Sequence, residues 1–221
     1  MNLFDILTNE DEERSRTQRI NGAVTGIVSN NKDPEGHGRI KINFPWLSED
    51  SESDWVRVVS FMAGSERGGF FLPEVGDEVL VVFEHGDINY PYVIGALWNS
   101  EDVPPETNKD GKNNIRKITS RSGHEIVFND DNEQRKEKLE IHTKAGHKIT
   151  LDDSAGQEKI EISDKTGSNK ITIDSVQNSV HIESAMQLKI KANVVEIEAT
   201  GSLTLKSNAI LTIQGMPVKI N

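Results

Sequence analysis

The sequence predicts an all-β protein built from two parts of different chemistry. Between residues 20 and 98, short apolar stretches alternate with turn residues, and none has the 3.6-residue period of a helix. Eleven of the twelve aromatic residues lie between Phe4 and Trp98, whereas residues 106–216 contain no proline and one aromatic ring. In this second part, aliphatic residues recur in pairs two positions apart, which is the period of a strand with one apolar face.

The first part is predicted to be a five-stranded barrel over residues 20–98. Turn signals such as NNKDPEGHG and EHGDINYP separate the apolar stretches. Five short strands in about eighty residues are typical of an oligonucleotide/oligosaccharide-binding (OB) fold, although a generic small β-barrel fits the same pattern. The predicted strands are Ile20–Ser29, Gly38–Phe44, Asp54–Ala63, Glu78–Glu84 and Tyr92–Trp98.

The second part, residues 115–221, is an internal repeat that follows a polar linker at residues 99–114. GHEIVFND and GHKITLDD are copies of one unit, and the spacing of the aliphatic pairs falls from 10 or 11 residues to about eight. Such a repeat predicts stacked strands, each with a two-residue apolar face. The predicted core residues are Leu139, Ile141, Ile149, Leu151, Ile160, Ile162, Ile171, Ile173, Val180, Ile182, Leu188, Ile190, Val195, Ile197, Leu203, Leu205, Leu211 and Ile213.

One chain alone buries these pairs poorly, because only about one residue in four faces inward. Burial of an aliphatic side chain stabilises by roughly 1.5–3 kcal/mol, and ordering each residue costs on the order of 1.5 kcal/mol. Three chains around one axis would make every pair dry and leave few sheet edges exposed. We therefore predict a homotrimeric, intertwined triple-stranded β-helix, or needle, with a single-chain β-solenoid as the alternative.

The whole pattern resembles the central spike of contractile injection systems. This family includes the phage baseplate assembly protein V, tailocin spikes and the C-terminal part of VgrG proteins. The segments that carry the resemblance are VTGIVSNNKDPEGHGRIKINFPWL, DWVRVVSFMAGSERGGFFLPEVGDEVLVVFEHGD and YPYVIGALWN, followed by the octad needle. The resemblance implies a structural, membrane-piercing role in the baseplate of a phage tail, tailocin, type VI or extracellular injection system.

The resemblance also implies partners. Only about nineteen residues precede the barrel, so a separate baseplate hub protein is expected. Residues 1–19 change from apolar to charged, which fits either a disordered leader or an arm that contacts the hub or tube through Phe4, Ile6 and Leu7. The flat end of the needle is expected to bind a PAAR-type tip protein and to meet the target cell envelope, with a frayed terminal strand as the alternative. The residues assigned to this tip are Gln214, Gly215, Met216, Pro217, Val218, Lys219, Ile220 and Asn221.

Composition argues against several other functions. Residues 1–114 hold 10 basic and 21 acidic side chains, a net charge of −11 that opposes nucleic-acid binding. The chain has no cysteine and no apparent signal peptide, so we expect assembly in the cytoplasm before delivery as part of a tail or baseplate.

No catalytic, metal or cofactor site is predicted. The six histidines include no His-x-His pair, and alternation turns His142 and His181 to the polar face of their strands. The acidic runs at 129–131 and 152–153 follow strands and are typical of turns. The alternatives to a structural spike are a trimeric glycan-binding surface adhesin and, with less support, a single-chain β-solenoid polysaccharide hydrolase.

Overall fold

A computed structural model describes residues 19–47 and 51–220, and it confirms an all-β protein. The chain divides into two compact units between Lys109 and Asp110. Among its described residues, the first unit contains seven strands and one short 3-10 helix at Glu84–Gly86. The strands are β1 (Val24–Asn30), β2 (Lys41–Asn43), β3 (Arg57–Val58), β4 (Ala63–Gly64), β5 (Arg67–Gly68), β6 (Glu78–Phe83) and β7 (Pro91–Ala96).

The main sheet of this unit closes into a barrel, as the sequence predicts. Its strand order is β2-β1-β6-β7-β3, and all neighbours are antiparallel except β3 and β7. Closure comes from Ile40 and Val56, which exchange two backbone hydrogen bonds of 3.0 and 2.7 Å between the ends of that order. Strand β6 alternates inward and outward side chains, with Val79 and Val81 fully buried. The complete core is Val28, Ile40, Ile42, Phe44, Val56, Val79, Val81, Phe83 and Val93.

Each of the five predicted barrel strands is longer than the strand found there, and of the predicted Gly38–Phe44 only Lys41–Asn43 is a strand. The first begins at Val24 instead of Ile20, because the Ile20 N–H donates to the Gly86 carbonyl at 2.9 Å, outside the ladder. The stretch 54–63 contributes only Arg57–Val58, and the chain then forms the separate β4–β5 hairpin. Alternation of apolar and polar residues predicts an extended backbone, but it does not predict where hydrogen bonding to a neighbouring strand ends.

The loop after β1 is held by a single carboxylate. Asp33 accepts two hydrogen bonds from the Arg39 guanidinium, at 2.9 and 2.8 Å, and further bonds from the backbone N–H groups of Glu35 and His37. The Arg39 guanidinium and these N–H groups hold the pKa of Asp33 well below its usual range. This loop is therefore an ordered connection into β2.

The second unit contains an antiparallel meander in which each of the seven strands pairs with the next along the chain. This arrangement is not a solenoid coil, because neighbouring strands run in opposite directions. Residues 184–220 follow, and none of them belongs to a strand. The meander strands are β8 (Ile115–Thr119), β9 (Glu125–Asn129), β10 (Lys138–His142), β11 (Lys148–Asp152), β12 (Lys159–Ser163), β13 (Lys170–Asp174) and β14 (Ser179–Glu183).

Candidate assembly interface

The aliphatic pairs of the meander form two continuous files on one face of its sheet. Within the ladder Ile149 lies opposite Ile162, and Leu151 lies opposite Ile160. The same side-by-side placement is repeated at every strand pair from β9 to β14. One file is Ile118, Ile126, Ile141, Ile149, Ile162, Ile171 and Ile182, and the other is Phe128, Leu139, Leu151, Ile160, Ile173 and Val180.

Nothing in the described chain covers this apolar face. Ile149 is 39% exposed and Ile162 is 47% exposed, although both lie in the middle of the sheet. On the opposite, polar face Thr150 is only 6% exposed. A soluble protein normally shows the reverse distribution, so an extended face of branched aliphatics indicates a surface for association.

Charged side chains on the polar face of the sheet pair with one another within the chain. Glu140 lies 3.1 Å from the Lys138 ammonium and 2.5 Å from the Lys148 ammonium. Although burial of Glu140 opposes ionisation, these two ammonium groups lower its pKa. Lys117 similarly lies 3.1 Å from Glu125 and lowers the pKa of that carboxyl. Long side chains therefore cover the polar face of the sheet, whereas the apolar face has no such cover.

Residues 184–220 carry the same pairs without a partner strand. The chain bends at 185–186, 193, 200–201, 208–209 and 216–217, so straight segments of a few residues repeat about every eight residues. Each straight segment contains one predicted pair, and all these side chains are exposed: Leu188, Ile190, Val195, Ile197, Leu203, Leu205, Leu211 and Ile213.

Two of the residues assigned to the tip continue this repeat. Val218 and Ile220 lie in the straight segment after the last bend, seven residues beyond Leu211 and Ile213. The remaining described residues of the predicted tip, 214–217 and Lys219, are also exposed. Asn221 and the predicted arm residues Phe4, Ile6 and Leu7 lie outside the described residues.

Sequence reasoning missed part of the apolar surface. Ile118, Ile126 and Phe128 extend the two files to the start of the meander, and the unit GHEIVFND already contained that signal. In the first unit, Phe61, Met62, Phe70 and Phe71 form an exposed apolar patch around the β4–β5 hairpin. The Phe61 and Phe71 ring centroids lie 6.3 Å apart, and the motif SERGG between FMA and FF marks the turn that brings them together.

His142 and His181 lie on the polar face of the meander, as predicted, opposite Glu125 and Thr172. His142 approaches Glu125 at 3.4 Å, and the Nδ1 atom of His147 accepts a bond from the Lys165 N–H. Among residues 19–47 and 51–220, no three His, Asp or Glu side chains are grouped closely enough to hold a metal ion. In the same part of the chain, no helix has the length and hydropathy of a membrane span.

Comparison with known proteins identifies the barrel. Residues 24–98, from the start of β1 to just past β7, match the family described as the type VI secretion system/phage-baseplate injector OB domain. Residues 24–98 are thus similar to an injector OB domain. The predicted OB barrel is therefore confirmed, and so is the resemblance to central spikes of contractile injection systems.

Relatives of known name extend the similarity into the second unit. This chain is 25% identical to the type VI secretion system spike protein VgrG1a of Pseudomonas aeruginosa. The alignment is 231 residues long and covers 86% of this chain and 36% of that relative. VgrG5 of the same organism, also named a spike protein, is 37% identical over 105 residues, 45% of this chain and 13% of that relative.

A third relative is named as a toxin. The actin cross-linking toxin VgrG1 of Vibrio cholerae is 30% identical over 159 residues, 64% of this chain and 14% of that relative. The chain thus spans about a third or less of the length of these three relatives.

Proposed function

We propose that this chain is the subunit of a homotrimeric, membrane-piercing spike at the centre of a contractile injection machine. Its injector OB domain would join the spike to a baseplate hub, and its second unit would form the needle. The role is mechanical and needs no catalytic residue or cofactor. Support comes from the family of the barrel and from relatives named as spike proteins.

The observation that carries the proposal is the uncovered apolar face of the meander. Its central isoleucines keep about two fifths of their surface exposed, and the polar face already has its own ion pairs. Completing the burial of each such side chain would stabilise by roughly 1 kcal/mol. With three sheets facing one axis, more than thirty side chains contribute to the same dry interior.

The segments after Glu183 support an intertwined end to the needle. An exposed extended backbone has unpaired N–H and C=O groups, and each of them gains a partner when strands from other copies lie alongside. The bends at 185–186, 193, 200–201 and 208–209 recur about every eight residues and divide this part of the chain into segments of equal length. Three chains of equal segments can wind about one axis with the pairs pointing inward.

The end of the needle, residues 214–221, is proposed to bind a PAAR-type tip protein. Within residues 199–221 the only charged side chains are Lys206 and Lys219, so the end is nearly neutral and carries exposed Met216 and Ile220. The proposed assembly would be delivered to the envelope of the target cell when the machine contracts.

Light scattering on the purified full chain tests the proposal. The expected mass is about 74 kDa, three times the chain mass of 24.6 kDa. A well-folded monomer at micromolar concentration would overturn it. In cells that produce the machine, removal of the gene should abolish mature injection particles in electron micrographs, and the intact gene should restore them.

A further inference from the structure

The turns that join consecutive strands of the meander lie along two lateral edges of the sheet, one at each end of the strands. These two edges carry opposite charge. One edge is formed by the turns 120–124, 143–147 and 164–169. Together these turns hold three basic side chains and one carboxylate, a formal charge of +2. The turns 130–137, 153–158 and 175–178 lie at the other edge and hold six carboxylates against two basic side chains, a formal charge of −4. We call these the basic edge and the acidic edge.

Repeat-equivalent positions generate the basic edge. Arg121, Lys144 and Lys165 each occupy the second position of their turn, in SRSGH, TKAGH and DKTGSN. A Cβ added to Gly123 would lie 3.6 Å from the Lys144 side chain, and one on Gly146 would lie 3.6 Å from Lys165. The turns therefore stack against each other and display their cations in a row.

The acidic edge is stacked by backbone hydrogen bonds. The Asp153 N–H donates to the Glu137 carbonyl at 2.9 Å, and the Ser175 N–H donates to the Glu158 carbonyl at 3.0 Å. Asp130 and Glu133 are already paired, with Arg116 and Lys112.

Several charges of the two edges have no ion pair within the described chain, and two cations and two carboxylates among them lie at repeat-related turns. Lys144 and Lys165 are exposed on the basic edge, and Asp153 and Glu158 lie on the acidic edge. Their ammonium and carboxylate groups remain available to another molecule, unlike the charges of the polar face, which pair with one another.

The turns of the two edges are offset in height. Heights are measured along the direction in which the strands stack. Because the chain meanders, successive turns on one edge are separated by two strand spacings, about 10 Å. The turns on the other edge are displaced from them by one strand spacing, about 5 Å. A threefold axis along the stacking direction keeps equivalent strands of three copies at equal height. The turn bearing Lys144 then falls between the heights of turns 130–137 and 153–158 of the neighbouring copy.

We propose that the needle closes edge to edge, with the basic edge of each copy docked between the acidic turns of the next. This inference rests on the proposed homotrimer and specifies its interface. The partner is a second copy of this chain, chosen by charge complementarity between its acidic edge and the basic edge. The contact is heterologous, so it closes into a ring when repeated three times and gives all chains one direction of rotation.

Charge reversal on the full chain tests the interface. One variant combines Lys144→Glu with Lys165→Glu, and a second combines Asp153→Lys with Glu158→Lys. Each places like charges across the interface, so the trimer dissociation constant at low salt should rise by about tenfold or more. The quadruple variant restores opposite charges with the edges exchanged, and its trimer should return to within about threefold of the unmodified protein. Analytical ultracentrifugation over a dilution series measures these constants.

A matched control separates this effect from net charge. Lys32→Glu with Lys109→Glu changes the net charge by the same amount as the Lys144 and Lys165 variant, at exposed positions outside the sheet, and it should leave the trimer unchanged. At about 1 M salt, where charges are screened beyond about 3 Å, the two edge variants should approach the control.

The outcomes distinguish the two proposals. If the unmodified protein is not a trimer, the proposed function fails. If it is a trimer but the edge variants match the control, or if their effects add in the quadruple variant, the edge-to-edge interface is overturned and the spike proposal stands. Circular dichroism identifies any variant whose sheet does not form, and the milder Lys144→Gln with Lys165→Gln pair then replaces it, with a smaller rise expected.

Discussion

Ile149 of β11 lies directly opposite Ile162 of β12 in the antiparallel ladder, on the face of the sheet that the chain leaves uncovered. A cross-strand pair of this kind is ordinary inside a core. Here it repeats along the meander, and the isoleucines stay exposed within the part of the chain that the structure describes. The pair therefore links the local pattern of the sequence to the proposed homotrimer.

Ile171→Lys tests whether the apolar face is buried in the assembled protein. Three unpaired ammonium groups would meet near one axis, so the variant should lose at least about 3 kcal/mol of stability or fail to trimerise. The control is Thr172→Lys, which adds the same side chain to the polar face, between Glu161 and His181 in the ladder. Thermal unfolding and light scattering measure both. Equal behaviour of the two variants would contradict burial of the apolar face.

Deletions test the eight-residue repeat after the meander. Removal of residues 203–210 takes out one complete interval from Leu203 to Leu211, so the remaining pairs and bends keep their phase. This variant should stay trimeric and resist proteolysis. Removal of residues 203–206 shifts the last pairs by half an interval, and the C-terminal segment should become protease-sensitive. Mass spectrometry of the digests gives the result, and equal resistance would exclude a repeat of fixed length.

Gly26→Ala tests the packing of the OB barrel. A Cβ at Gly26 would lie 2.3 Å from Ile42 Cγ2, and Ile42 is fully buried, so we expect a loss of about 1–3 kcal/mol. The matched control is Gly95→Ala in β7, where a Cβ meets nothing within 4 Å. Chemical denaturation of both variants gives the comparison. A stability loss at Gly95 as large as that at Gly26 would contradict steric overlap with Ile42 as the cause.

Asp164 should make the needle sensitive to acid. Hydrogen bonds from Asn169 and Thr166 hold the pKa of Asp164 at about 2 in the folded protein. Because this pKa lies below the ordinary value of 3.8, the ionised carboxylate contributes stability above about pH 4, and that contribution is lost as the pH falls towards about 2. Asp164→Asn should therefore melt lower than the unmodified protein at pH 5 and equal to it near pH 2.

Melting temperatures between pH 5 and pH 2 provide this measurement. Other carboxyls, such as those of Glu125 and Glu140, titrate in both proteins and cancel in the difference. A difference that stays constant down to pH 2 would assign the effect of the substitution to shape rather than charge.

Truncation of the tip tests partner binding. Deletion of Gly215–Asn221 should abolish capture of a PAAR-type partner in a pull-down and leave the mass of the trimer intact. The shortened needle without residues 203–210 is the control, because it keeps the tip sequence and should still bind. Retention of the partner by the truncated chain would place the binding surface elsewhere.

Much of this protein was predictable from residues close together in the chain. Alternation of apolar and polar residues is a local property, and it indicated β structure, the turns and the apolar face with Ile149 and Ile171. The aromatic and proline distribution separated the barrel from the repeat for the same reason, since each part has its own packing requirement. The repeat also extends beyond both ends of the predicted core, to Ile126 before it and to Val218 after it.

Other features depended on which strands meet, and only the tertiary structure decided them. Closure of the barrel required Ile40 and Val56 to pair, and these residues lie in different apolar stretches. Alternation could not show that in-chain pairing continues as an antiparallel meander to Glu183 and then ends, because an extended segment has the same pattern whether or not a neighbour is present. The separation of basic and acidic turns onto opposite edges likewise follows from chain reversal at every strand, which places alternate turns on opposite sides of one sheet.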